Sequence, residues 1–151
     1  MLIHGYHLGA EAWENIAWGA PENGVFGVIP RGVALAAELD AERILWGTGA
    51  SERGGVKEGA YMRRYALERA EDLGRFSARD TAAIRELLEK RSVVDESTQD
   101  TIGEVSAGLA FCLENGIERL YLVAAASHAP RSLKTALALL EEERFAPLRR
   151  R

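Results

Sequence analysis

Apolar positions along this chain fall into two alternating patterns, short continuous runs and longer stretches with helical spacing. "MLIHG" at the start, "RILWG" at Arg43–Gly47, "SVVDE" at Ser92–Glu96 and "LYLVAAA" at Leu120–Ala126 are the runs, and each reads as a strand. Between them, Trp13, Ile16 and Ala17 fit a short amphipathic helix, and Val33, Leu35, Ala36 and Leu39 mark another over Arg31–Glu42. A third helix is expected to begin near Val56, with Ala60, Tyr61, Met62 and Tyr65 on its apolar side and Gly74 as its stop. Ser77, with Asp80 three residues on, predicts the cap of a fourth. Thr98 or Asp100 opens a fifth that reaches Glu114, and Pro130 sits in the first turn of the closing helix. "PENG" at Pro21–Gly24 is a turn, while "VFGVIP" after it reads equally as a strand or an irregular connection.

Strands that alternate with helices pair in parallel through crossovers. The pattern therefore predicts one α/β domain over residues 1–151, Rossmann-like, with a mainly parallel sheet and helices on both faces. Ile44–Trp46 and Leu122–Ala125 are expected in central strands.

Composition narrows the function without naming it. Hydrophobic residues make up 47% of the chain and charged residues 28%, with a formal net charge of -4, so nonspecific nucleic-acid binding is not expected. The basic tail Arg149–Arg151 is expected to fray in solvent. The single cysteine, Cys112, shares helical spacing with Leu109 and Leu113, which points to a buried thiol rather than a nucleophile. No run approaches the roughly 18 apolar residues of a membrane span, and the expectation is a cytoplasmic protein with no membrane partner.

Candidate chemistry gathers where the apolar runs stop. His4 and His7 follow the first; Gly47, Thr48 and Gly49, in the glycine-rich "GTGASERGG", follow the second; Asp95 and Thr98 follow the third; Ser127, His128 and Arg131 follow the fourth. Carboxyl ends of parallel strands share one edge, which is where open α/β sheets bind ligands. The glycine-rich stretch is either an anion cradle or a flexible connection. Glu58 either binds a ligand hydroxyl or amine, or favours a helix N-terminus. Thr98 and Thr101 divide between capping and facing the crevice. His128 and Arg131, three residues apart, join a group that exchanges protons near neutrality to a fork for anions, and Asp95 is placed to orient the imidazole. No metal set is assigned, since His4 and His7 lack an evident further ligand.

These pieces in this order resemble the YdcF/SanA/ElyC-like family of bacterial proteins. The resemblance rests on Gly5, the Gly47–Gly49 turn, Glu58, "DESTQDTIGE" at Asp95–Glu104 and "SHAPR" at Ser127–Arg131, and it spans most of the chain. Asp95, Thr98 and Glu104 stand where the family has glutamate, serine and asparagine, and "GYHLGAEAWENIAWG" differs from the family's opening loop. The resemblance implies a Rossmann-like domain holding an anionic or nucleotide-like small molecule, with S-adenosylmethionine bound in one branch and membrane anchors in others. It carries Gly47, Thr48, Gly49, Glu58, Asp95, Thr98, Thr101, Ser127, His128 and Arg131 over as candidate site residues.

Two functions follow as expectations. One is hydrolysis or group transfer on an anionic ligand, with His128 as general acid or base and Asp95 orienting it. The other is binding, without chemistry, of an S-adenosylmethionine-like or nucleotide-like molecule in the same crevice.

Overall fold

The structure is a computed structural model, and it describes residues 1–150. Its strands are short: β1 is Leu2–Ile3, β2 Gly19–Ala20, β3 Val25–Phe26, β4 Ile44–Gly47, β5 Glu52–Arg53, β6 Val56–Lys57, β7 Ser92–Asp95 and β8 Leu122–Val123. The helices are α1 (Trp13–Ala17), α2 (Val28–Glu38), α3 (Glu58–Glu68), α4 (Ala70–Phe76), α5 (Thr81–Lys90), α6 (Thr101–Asn115) and α7 (Ala129–Leu140). Four strands form one all-parallel sheet in the order β7-β4-β1-β8, while β2 with β3 and β5 with β6 make two small antiparallel pairs. This is the mixed α/β, Rossmann-like arrangement that the alternation predicts.

Alternation along the strands divides the core between the two faces. Ile3, Ile44, Trp46 and Val123 pack with α1 to α5 through Trp13, Ile29, Met62, Leu73 and Ile84. On the other face Leu122 and Leu120 meet Val105, Leu109, Ala136 and Leu139 of α6 and α7, together with Phe145. Cys112 is buried among these residues, and burial pushes its thiol above the ordinary range, which suits a packing role.

Several elements differ from the expectations, each for a local reason. Leu122–Val123 forms an edge strand rather than a central one. Its apolar run reflects helices covering its faces, which is independent of pairing on both sides. The second helix starts at Val28, three residues earlier than expected, because Gly27 supplies an extended N-cap and Pro30 fits the first turn. Val56 belongs to a hairpin whose tight turn is made by Gly54 and Gly55, at φ of 60° and 75°. Gly74 lies inside α4 instead of ending a helix; a Cβ there would stand 2.7 Å from Thr81 Oγ1, so its bareness lets α5 approach. Asp80, not Ser77, caps α5 by accepting from Ala83 N at 2.8 Å. The basic tail is also more ordered than expected, because residues 143–150 form a 3₁₀ helix and Arg149 pairs with Glu141 at 3.5 Å. Arg151 lies outside the described residues.

Candidate functional site

From β1 the chain steps outward through β4 to β7, then returns to the opposite side of β1 to form β8. The order therefore reverses between β1 and β8, and in open parallel sheets a crevice opens beyond the carboxyl ends at such a point. His4 follows β1 directly, and His128 is the residue from which α7 starts after β8. Both line a cavity of about 120 Å³ at this place, together with Tyr6, Glu58, Glu104 and Arg131.

The inner wall is built from buried polar groups. His4, Glu58 and Glu104 are 2%, 1% and 5% exposed. His4 Nδ1 and Glu104 Oε2 make a short contact across one hundred residues of sequence, bringing the end of β1 to the first turn of α6. His4 Nε2 is buried and has no protein partner among the described residues; in the neutral ring whose Nδ1–H donates to Glu104, that nitrogen carries the lone pair. Glu58, the first residue of α3, accepts from the Ser51 hydroxyl, which in turn accepts from Leu8 N at 2.9 Å. Burial, followed by the Glu104 charge, holds the Glu58 carboxyl above its ordinary range, while the Ser51 hydrogen bond pulls it back. Gly5 makes room for this side chain, since a Cβ there would collide with Glu58 Oε1.

The outer wall is more open. His128 is half-buried, its ring centroid 5.5 Å from that of Tyr6, and Ser132 N and Oγ both donate to its carbonyl, at 2.9 and 3.1 Å. Burial, then the charges of Arg131 and His4, lower the His128 pKa from its ordinary 6.5, which favours the neutral imidazole. Arg131 is exposed at the rim.

Five of the residues expected at the site line this cavity: Thr48, Glu58, Thr101, His128 and Arg131. The others do not. Asp95 ends β7, at the far edge of the sheet from β8, and its carboxylate accepts from Ser97 N at 2.9 Å and Ser97 Oγ at 2.6 Å. Three strand spacings separate those edges, roughly 14 Å, so Asp95 is a turn residue and does not orient His128. Thr98 is buried, and its carbonyl accepts from Thr48 Oγ1 at 2.6 Å and Gly49 N at 2.8 Å. The glycine turn is therefore a packed junction with the segment before α6 rather than an open anion cradle. Gly49 is bare because a Cβ would collide with the Glu96 carbonyl. Ser127 is exposed and lies outside the cavity.

His4 and His7, left open by the sequence, both line the cavity, His7 on its exposed side. Tyr6, which follows the same first apolar run, lines it too, whereas the pairing of Glu104 with His4 is not among the expectations. The signal in the sequence is a carboxylate, Glu104, near the start of a helix that opens at the same sheet edge as His4. Among the described residues no group of three metal-ligating side chains gathers anywhere, and no helix is long and apolar enough to cross a membrane. No protein-family model matches the chain, and no curated protein or solved structure matches it either.

Proposed function

We propose that the chain is a cytoplasmic small-molecule enzyme, a hydrolase or transferase, acting on an anionic or nucleotide-like ligand at the carboxyl edge of its parallel sheet. The observation that carries this reading is the meeting of His128 and Arg131 with the buried His4, Glu104 and Glu58 in one cavity at the reversal of strand order. Arg131 is the anion holder, because its fork gives two parallel hydrogen bonds to a phosphate or carboxylate. His128 is the proton acceptor, since a neutral imidazole, the form its lowered pKa favours, takes a proton from a water or hydroxyl as it attacks. The resemblance to YdcF-like proteins supports the same assignment through Glu58, Thr101, His128 and Arg131.

Ligand size limits the nucleotide-like alternative. About 120 Å³ equals the space of roughly four water molecules, so the cavity encloses one end of an S-adenosylmethionine-like molecule and leaves the remainder outside. The test is a mass spectrum of small molecules retained by the purified protein, followed by turnover of whatever is found. His128→Gln should abolish turnover while retaining binding. A retained ligand that the parent protein never converts would replace the enzyme reading by binding alone.

A further inference from the structure

The inner end of the cavity has a chemical character distinct from that of its rim. Glu104 Oε2 is taken by His4 Nδ1, and Glu58 Oε2 by the Ser51 hydroxyl. The second oxygens lie over bare glycines: a Cβ on Gly47 would be 3.0 Å from Glu104 Oε1, and one on Gly5 would run into Glu58 Oε1. No donor among the described residues reaches either of these oxygens. His4 Nε2 is buried and unpartnered in a side chain that lines the same cavity, and in the neutral ring whose Nδ1–H donates to Glu104 it offers a lone pair. Three atoms thus remain with no protein donor, and one of them, His4 Nε2, is fully buried, where an unmet hydrogen bond is costly.

Resting on the anion-holding reading above, we propose that this inner end is a subsite for a hydrogen-bond donor, a hydroxyl or an ammonium group, carried on the same ligand whose anionic group Arg131 holds. A second anionic group would meet two carboxylates there. An apolar group would leave all three acceptors unmet. A hydroxyl or ammonium satisfies them, and the cavity's volume suits a group of a few heavy atoms. The substrate class is therefore a small anion bearing a hydroxyl or amine, with His4 Nε2 accepting from that group.

Three phosphate esters test this on the full chain: propyl phosphate, glycerol 3-phosphate and O-phosphoethanolamine. They share the anionic end and differ in whether the other end can donate. Titrations followed by NMR of the Arg131 guanidinium and the histidine rings should show all three moving Arg131. Glycerol 3-phosphate or phosphoethanolamine should bind roughly tenfold or more tightly than propyl phosphate and alone shift the His4 ring, as expected for a hydrogen bond made to a charged acceptor. Which of the two gains decides between hydroxyl and ammonium. Glu58→Gln and His4→Phe should each reduce that gain, and the comparison of ligands on the unaltered protein stands even where a variant fails to fold. Equal affinity for all three, with Arg131 still responding, would overturn the donor subsite and leave the anion site intact. No response of Arg131 to any of them at millimolar concentration would overturn both.

Discussion

The Glu104 carboxylate rests against the backbone of Gly47, so that a Cβ at Gly47 would lie 3.0 Å from Glu104 Oε1 and 3.1 Å from Cδ and Cγ. The last residue of β4 is thereby bare in order to let a side chain of α6 reach His4 across the end of the sheet. Gly47→Ala should cost about 1–3 kcal/mol through overpacking and shift the His4 ring signals. Denaturant unfolding and NMR of the histidine ring check this together. Unchanged stability with an unmoved His4 signal would show that the contact does not position the pair.

The pair itself makes a sharper comparison. Glu104→Leu removes the acceptor and leaves His4 Nδ1–H buried without a partner, at a cost of about 1–3 kcal/mol. Glu104→Gln retains a carbonyl oxygen of similar shape and should lose less. If the leucine variant were as stable as the glutamine variant, the hydrogen bond would contribute nothing net to folding.

Glu58 sets a pH dependence with a definite sign. Burial raises its folded-state pKa above the ordinary 4.5, so the folded protein holds that proton more tightly than the unfolded chain. Its stabilising contribution is full below 4.5 and is lost as pH rises through the elevated folded value. Glu58→Gln cannot ionise, so its stability relative to the parent should improve over that rise and level off above it. Urea midpoints measured between pH 4 and 9 decide the matter; a difference that stays flat would show that Glu58 titrates at its ordinary value.

Pairing within the sheet predicts unequal costs for two leucines on the same face. Leu2 is 1% exposed on β1 between β4 and β8, whereas Leu122 is half-buried on the edge strand. Leu2→Ala should cost about 2–5 kcal/mol, and Leu122→Ala distinctly less because the site is already partly open to water. An equal loss at both positions would mean that the free edge of β8 is covered in solution.

That contrast also marks how far the sequence could be read. Ile44–Gly47 was legible as a central strand because its apolar run is short, is closed by glycine and is buried on both faces. Leu120–Ala126 looks the same in composition, yet strand order depends on where the chain returns, and no local pattern encodes that. His128 and Arg131 were legible because a site at a strand's carboxyl end follows from alternation alone. The carboxylate of the inner wall was not: Asp95 was the nearest candidate by strand position, but hydrogen bonding to Ser97 takes it, and Glu104, which pairs with His4, arrives from the first turn of α6. Helical phase, rather than proximity to a strand end, selects it.

His128 provides the last prediction, because the causes of its shift can be separated. Burial is the largest, and the Arg131 charge comes next, followed by His4; Glu104 opposes them. A folded-state pKa below 6.5 means that stability from the neutral ring is present above 6.5 and is lost as pH falls through the lowered value, since the unfolded chain takes up the proton first. Arg131→Met removes the second cause while leaving burial in place. The His128 titration, followed by NMR of the ring protons, should therefore move upward without reaching 6.5. The same variant should lose anion affinity, whereas Arg131→Lys should keep the pKa low but bind the anion less well, because charge persists and the planar fork does not. A titration that ignores both substitutions would place the guanidinium away from the imidazole and separate the anion site from the proton acceptor.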